Sequence, residues 1–140
     1  MIADFDFSEN ELYNLKKRSV DALILFGSRA QGLAGDKSDF DIGVIVNDRG
    51  ILSDADKRIK TYDFLYELLS LRIKRLTNID IVFLDTAPAE LQAHVMKYGQ
   101  PIFEAKKNVF ANFRERVMEQ YADFAPLREI FHANILSRIS

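Results

Sequence analysis

Hydrophobic positions along this chain follow two different rhythms. Three short apolar runs have the length and continuity of strands, and they predict β structure over about 21–26, 39–46 and 78–84. Between them the apolar residues recur every three or four positions, the spacing of a helix face. Ser8-Glu9-Asn10-Glu11 reads as a capping box opening a helix that carries Leu12 and Leu15 and runs to about Val20. Ser53-Asp54-Ala55-Asp56 caps a long helix to about Leu76. Its expected stripe is Ile59, Tyr62, Leu65 or Tyr66, Leu69, Ile73 and Leu76. A further helix has Pro88 in its first turn and Leu91, Val95 and Tyr98 on one face, and it stops at Gly99, the usual C-terminal signal. Pro101-Ile102-Phe103 is a candidate edge strand.

Past Glu104 the pattern turns wholly helical. Phe110, Phe113, Val117, Tyr121 and Phe124 form one stripe, and Leu127, Phe131, Ile135 and Ile139 form another. Such stripes either cover the open face of a sheet or dock on a partner. The expected architecture is therefore α/β (α+β): a small mixed, mainly antiparallel twisted sheet flanked by helices over 1–104, with a helical C-terminal extension over 105–140.

Composition narrows the function classes. With 140 residues and 48% hydrophobic content, the chain suits one compact core. A net charge of −2 provides no general attraction to nucleic acid or anionic membrane, and no local basic patch of sufficient size replaces it. No direct nucleic-acid partner is expected. The absence of Cys excludes disulfides, thiol catalysis and Cys-ligated zinc. The first residues lack the basic and apolar blocks of a signal peptide, and no apolar stretch is long enough to span a bilayer, so the expectation is cytoplasmic.

Candidate chemistry sits at the strand ends. Gly27-Ser28 follows the first apolar run directly, and a glycine there lets the backbone turn sharply so that successive N–H groups and the Ser28 hydroxyl point at one anion. After ten residues come Asp39-Phe40-Asp41. Alternation along a strand puts Asp39 and Asp41 on one face and Phe40 and Ile42 on the other. Two carboxylates held together repel, which favours a divalent cation between them, Mg²⁺ shared with substrate phosphates. The rival reading is a hairpin tip rich in Ser, Asp and Gly for turn chemistry alone. That rival leaves the two strand-borne carboxylates unexplained. Asp80 places a third carboxylate inside an apolar strand, either as a general base and metal ligand beside the pair or as a turn acceptor next to Asn78. Arg72, Lys74 and Arg75 read as cations favoured by a helix C-terminus, and His94 and His132 lack companion ligands.

Gly27-Ser28-Arg29-Ala30 with Asp39-Phe40-Asp41 resembles the GS-x10-DxD signature of minimal nucleotidyltransferases (MNT), small members of the DNA polymerase β-like superfamily, and Asp80 matches their third carboxylate. The likeness covers about residues 10–104. Arg114-Glu115 and Tyr121-Ala122-Asp123-Phe124-Ala125-Pro126 are similar to the C-terminal region of MNT antitoxins that pair with HEPN ribonuclease toxins. This resemblance implies a nucleotidyltransferase fold with ATP against Gly27, Ser28 and Arg29 and Mg²⁺ on Asp39, Asp41 and Asp80. It further implies transfer of AMP to a hydroxyl, a tyrosine's, of a cognate HEPN toxin held in a hetero-oligomer. Two other readings remain open at this point: modification of a small hydroxylated molecule such as an aminoglycoside, and neutralisation of a toxin by occlusion without catalysis.

Overall fold

The computed structural model describes residues 4–35, 39–73 and 78–122. In chain order it has α1 (Glu9–Lys17), β1 (Val20–Phe26), a 3₁₀ turn (Gly27–Arg29), β2 (Phe40–Val46), α2 (Arg49–Ser53), α3 (Ala55–Arg72), β3 (Ile79–Phe83), a second 3₁₀ turn (Leu84–Thr86), α4 (Ala89–Tyr98) and β4 (Gln100–Glu104). A last helix, α5, occupies 109–122. The strands form one sheet in the order β3-β2-β1-β4, with β1 antiparallel to both β2 and β4 and β2 parallel to β3. The sheet is thus mixed and mainly antiparallel, as expected.

Strand alternation divides the core into two layers. Phe40, Ile42, Val44 and Val46 of β2 share one face with Leu23, Ile79, Leu15 of α1 and Leu65, Leu68 and Leu69 of α3. The opposite face gathers Ala22, Ile24, Phe26 and Ile45 beneath Ala93, Val95 and Met96 of α4 and Phe113 and Val117 of α5. Phe110, Phe113, Val117 and Tyr121 of the first C-terminal stripe therefore cover the sheet, while its last member, Phe124, lies outside the described residues. The second stripe, like Lys74, Arg75 and His132, lies outside the described residues.

Several local expectations shift. The Ser8 capping box forms in full: Glu11 N–H donates to Ser8 Oγ, and Ser8 N–H donates to Glu11 Oε1 at 2.8 Å. The helix nevertheless stops at Lys17, because Ser19 takes a left-handed φ of 64° that turns the chain into β1. The long helix is capped by Asp54, which accepts from Asp56 N–H, and the separate α2 precedes it under an Asp48 cap. Its buried face is Thr61, Leu65, Leu68 and Leu69, whereas Ile59 and Tyr66 are 55% and 42% exposed. Leu65, Leu69 and Ile73 of the predicted stripe are buried as expected and Leu76 lies outside the described residues, but the face extends to Thr61, buried with its hydroxyl donating to Lys57 O, a polar residue that an apolar count passes over. Gly99 ends α4 without a left-handed turn: its φ is −75°. A Cβ there would clash with Val95 O and come within 2.7 Å of Ile24 Cγ2, so close packing requires the glycine.

Arg72, in the last turn of α3, pairs with Glu11 of α1, lies 3.9 Å from Asp4 and sits over the Phe7 ring. The segment before α1 is thereby held across the sheet end, where Phe5 packs edge-on against Phe40 with ring centroids 6.2 Å apart.

Candidate active site

Asp41 is the centre of the arrangement, because β2 runs between β1 and β3. On one side it pairs in register with Phe26, the last residue of β1, and on the other with Asp80 of β3. Residues opposite each other in a ladder share a face, so the Asp41 and Asp80 carboxyls lie side by side. Both are on the α4 face, at the sheet end where that layer stops. The register, which no local pattern encodes, brings the Asp41 and Asp80 carboxyls together from two separate sequence regions, while Asp39 lies just before β2. Asp41 reports the result: its carboxyl is pushed above the ordinary carboxylate range, first by burial, then by the charges of Asp80 and Asp39, and by a side-chain hydrogen bond with Asp80.

The Gly27 turn closes the other side. Gly27 has a φ of +74°, and a Cβ on it would collide with Asp41 Oδ2 and lie 3.2 Å from Asp41 Cγ. Glycine is required here twice over, for conformation and for the approach of backbone to carboxylate. The turn is internally bonded: Ala30 and Gln31 N–H both donate to Gly27 O, and Leu33 N–H donates to Ser28 O at 2.9 Å. Ser28 is half-buried in this turn.

The structure thus brings Gly27, Asp41 and Asp80 together, with Asp39 acting electrostatically on Asp41. Arg29 is placed differently from the rest. Its guanidinium lies over the Phe40 ring, 4.0 Å from the centroid. Gln100 was missed by sequence reading: its side-chain amide donates to Ala30 O at 2.8 Å, tying β4 to the end of the turn. A polar residue beginning an edge strand gives no signal of such a contact. His94 sits on the exposed side of α4, its ring 5.1 Å from that of Tyr98, away from the carboxylates in sequence and element.

Oxygen-only anionic donors are the chemistry that hard divalent cations take. Among the described residues no group of three or more His, Cys, Asp or Glu forms a ready-made metal cage. Asp80 and Asp39 lie close enough to act on the charge of Asp41.

The fold recurs in solved structures. A toxin–antitoxin crystal structure with AMP-PNP contains a chain similar to this one, with a TM-score of 0.68 and 22% identity over 93% of this chain and 99% of that one. A tri-AMPylated Shewanella oneidensis HEPN toxin in complex with MNT antitoxin gives a TM-score of 0.63 and 20% identity over 91% and 95% of the two chains. The MntA–HepT toxin–antitoxin structure gives 0.55 and 16% over 92% and 99%. At these identities the likeness is one of fold. No curated protein sequence matches significantly. At the level of sequence, the Polymerase beta, Nucleotidyltransferase family matches residues 11–108, a span that holds the Gly27 turn, Asp39, Asp41 of β2 and Asp80. The chain therefore belongs to the polymerase β nucleotidyltransferase family.

Proposed function

We propose that this protein is an MNT-type antitoxin that transfers AMP from ATP to a hydroxyl, a tyrosine's, of a cognate HEPN ribonuclease toxin and so neutralises it. The observation that carries the reading is the packing of Gly27 against Asp41, with Asp80 in register on the far side. One turn able to hold an anion thus abuts one cluster able to hold a cation. The solved complexes with AMP-PNP and with a tri-AMPylated HEPN toxin, whose fold this chain shares, support the choice of nucleotide and of partner.

In this reading the triphosphate lies along the backbone at Gly27 and Ser28, and the Ser28 hydroxyl donates to a phosphate oxygen. Arg29 contributes positive charge from its seat on Phe40. The donor set fits Mg²⁺, which Asp39, Asp41 and Asp80 would hold; when bound it offsets phosphate charge and the charge growing on the attacking and leaving oxygens. Asp80 accepts the proton of the incoming hydroxyl. That oxygen attacks the α-phosphorus in line, a new P–O bond forms, the bond to the β-phosphate oxygen breaks, and pyrophosphate leaves. Asp80 suits the role of base toward a large acceptor because it is exposed and on an edge strand, where a partner can approach.

The test is mass spectrometry of the cognate HEPN toxin after incubation with this protein, ATP and Mg²⁺. The expected product gains the mass of one or more AMP groups, and the gain disappears with chelator or with the Asp39→Ala, Asp41→Ala double variant. An unmodified toxin would refute the chemistry. Full neutralisation by the double variant at ordinary expression would replace catalysis with occlusion.

A further inference from the structure

The amide of Gln100 makes a contact that neither β4 nor the core requires. It begins an edge strand at an exposed position, and its backbone register opposite Leu25 is already fixed by the β1–β4 ladder. Holding a glutamine side chain in one rotamer costs entropy, so an ordered exposed glutamine needs a compensating partner. That partner is Ala30 O at 2.8 Å, the carbonyl at the C-terminal end of the Gly27–Arg29 turn, 70 residues away in sequence. Two features aim the side chain there. The missing Cβ of Gly99 lets the end of α4 close onto Ile24, and the ladder then places Gln100 beside the last residues of β1.

We propose that Gln100 is a positioning residue for the anion-holding turn: by fixing Ala30 O it holds the Gly27–Arg29 backbone in a single orientation toward the triphosphate. The Gly27 end is already immobilised by its packing on Asp41, and the Ala30 end is held by Gln100. With both ends fixed the turn is ordered before nucleotide arrives, and its ordering entropy is not drawn from binding. The inference rests on the proposed use of this turn for ATP phosphates.

Gln100→Ala and Gln100→Glu test it together, since both remove the donor and only the second adds charge. Amide hydrogen exchange should show residues 28–31 exchanging about tenfold faster in both variants while the β1 and β2 core amides stay protected as in the parent. The Kd for ATP with Mg²⁺, measured by calorimetry, should rise about three- to tenfold in both, with the thermal midpoint unchanged. A purely structural role would instead lower the midpoint and leave the Kd unmoved, and that outcome overturns the proposal. Weakening by Gln100→Glu alone would mean charge repulsion, and also overturns it. Parent protein that binds no ATP refutes the active-site reading itself, whereas parent binding matched by both variants refutes only the role of Gln100.

Discussion

Replacing Gly27 with alanine imposes two separable costs. The first is conformational: a φ of +74° is left-handed, and an L-residue pays about 1–2 kcal/mol there. The second is steric, because the new Cβ collides with Asp41 Oδ2. A carboxylate at the end of a side chain relieves that collision by turning away, at about 0.5–1.5 kcal/mol for an off-rotamer χ. The sum, about 1.5–3.5 kcal/mol, corresponds to a fall of about 5–12 °C in Tm for a domain of this size. Stability is the smaller effect. If Asp41 works at the reaction centre, displacing its carboxylate by about 1 Å lowers turnover about 100-fold. Repeating the substitution in an Asp41→Ala background removes the collision and leaves the φ cost, so Gly27→Ala should then cost only about 1–2 kcal/mol. Urea unfolding of the four proteins supplies the cycle, and AMP transfer supplies the activity. Equal costs in the two backgrounds would show that the turn and Asp41 are not in contact. Near-parental turnover by Gly27→Ala would show that the Asp41 carboxylate is not the group in use.

Asp41→Asn, without divalent cation, should stabilise the protein at pH 7 while abolishing transfer. The sign follows from the direction of the shift. The folded carboxyl sits above its unfolded value of 3.8, so the folded state holds more protons between the two, and parent stability falls as pH rises through that window. The variant's advantage, read by urea unfolding at a series of pH values, should therefore vanish below about pH 4; an advantage that grew toward acid would be inconsistent with the crowding of carboxylates. Gly43→Ala probes the same strand away from the turn: its Cβ would lie 2.7 Å from Leu84 Cδ1, so stability should drop by about 1–3 kcal/mol. Calorimetry should find its ATP affinity unchanged, and a loss as large as that of Gly27→Ala would mean that strand packing, not the turn, governs binding.

The candidate chemistry was legible because it lies in consecutive residues. A glycine after an apolar run marks a sharp turn, whereas Asp39, expected on the strand face beside Asp41, lies just before β2. Element boundaries were less legible wherever a polar residue was recruited into the core. Thr61 extended the buried face of α3, and a left-handed Ser19 ended α1 early. Gly99 illustrates a right boundary reached for a different reason: α4 does stop there, but because of Ile24 and Val95 rather than a left-handed cap.

By itself the sequence determined the order of the four strands and of the helices other than α2, and the existence of a turn after the first strand, since each depends on neighbours within a few residues. Only the tertiary structure decided that Asp80 stands opposite Asp41, that Gly27 abuts its carboxyl, that Arg29 lies on Phe40 and that Gln100 holds Ala30. Those contacts join residues as far apart as 70 positions, and their geometry comes from strand order and register. Register is fixed by how two hydrophobic layers bury both faces of the sheet at once, a property of the whole core that no local window contains.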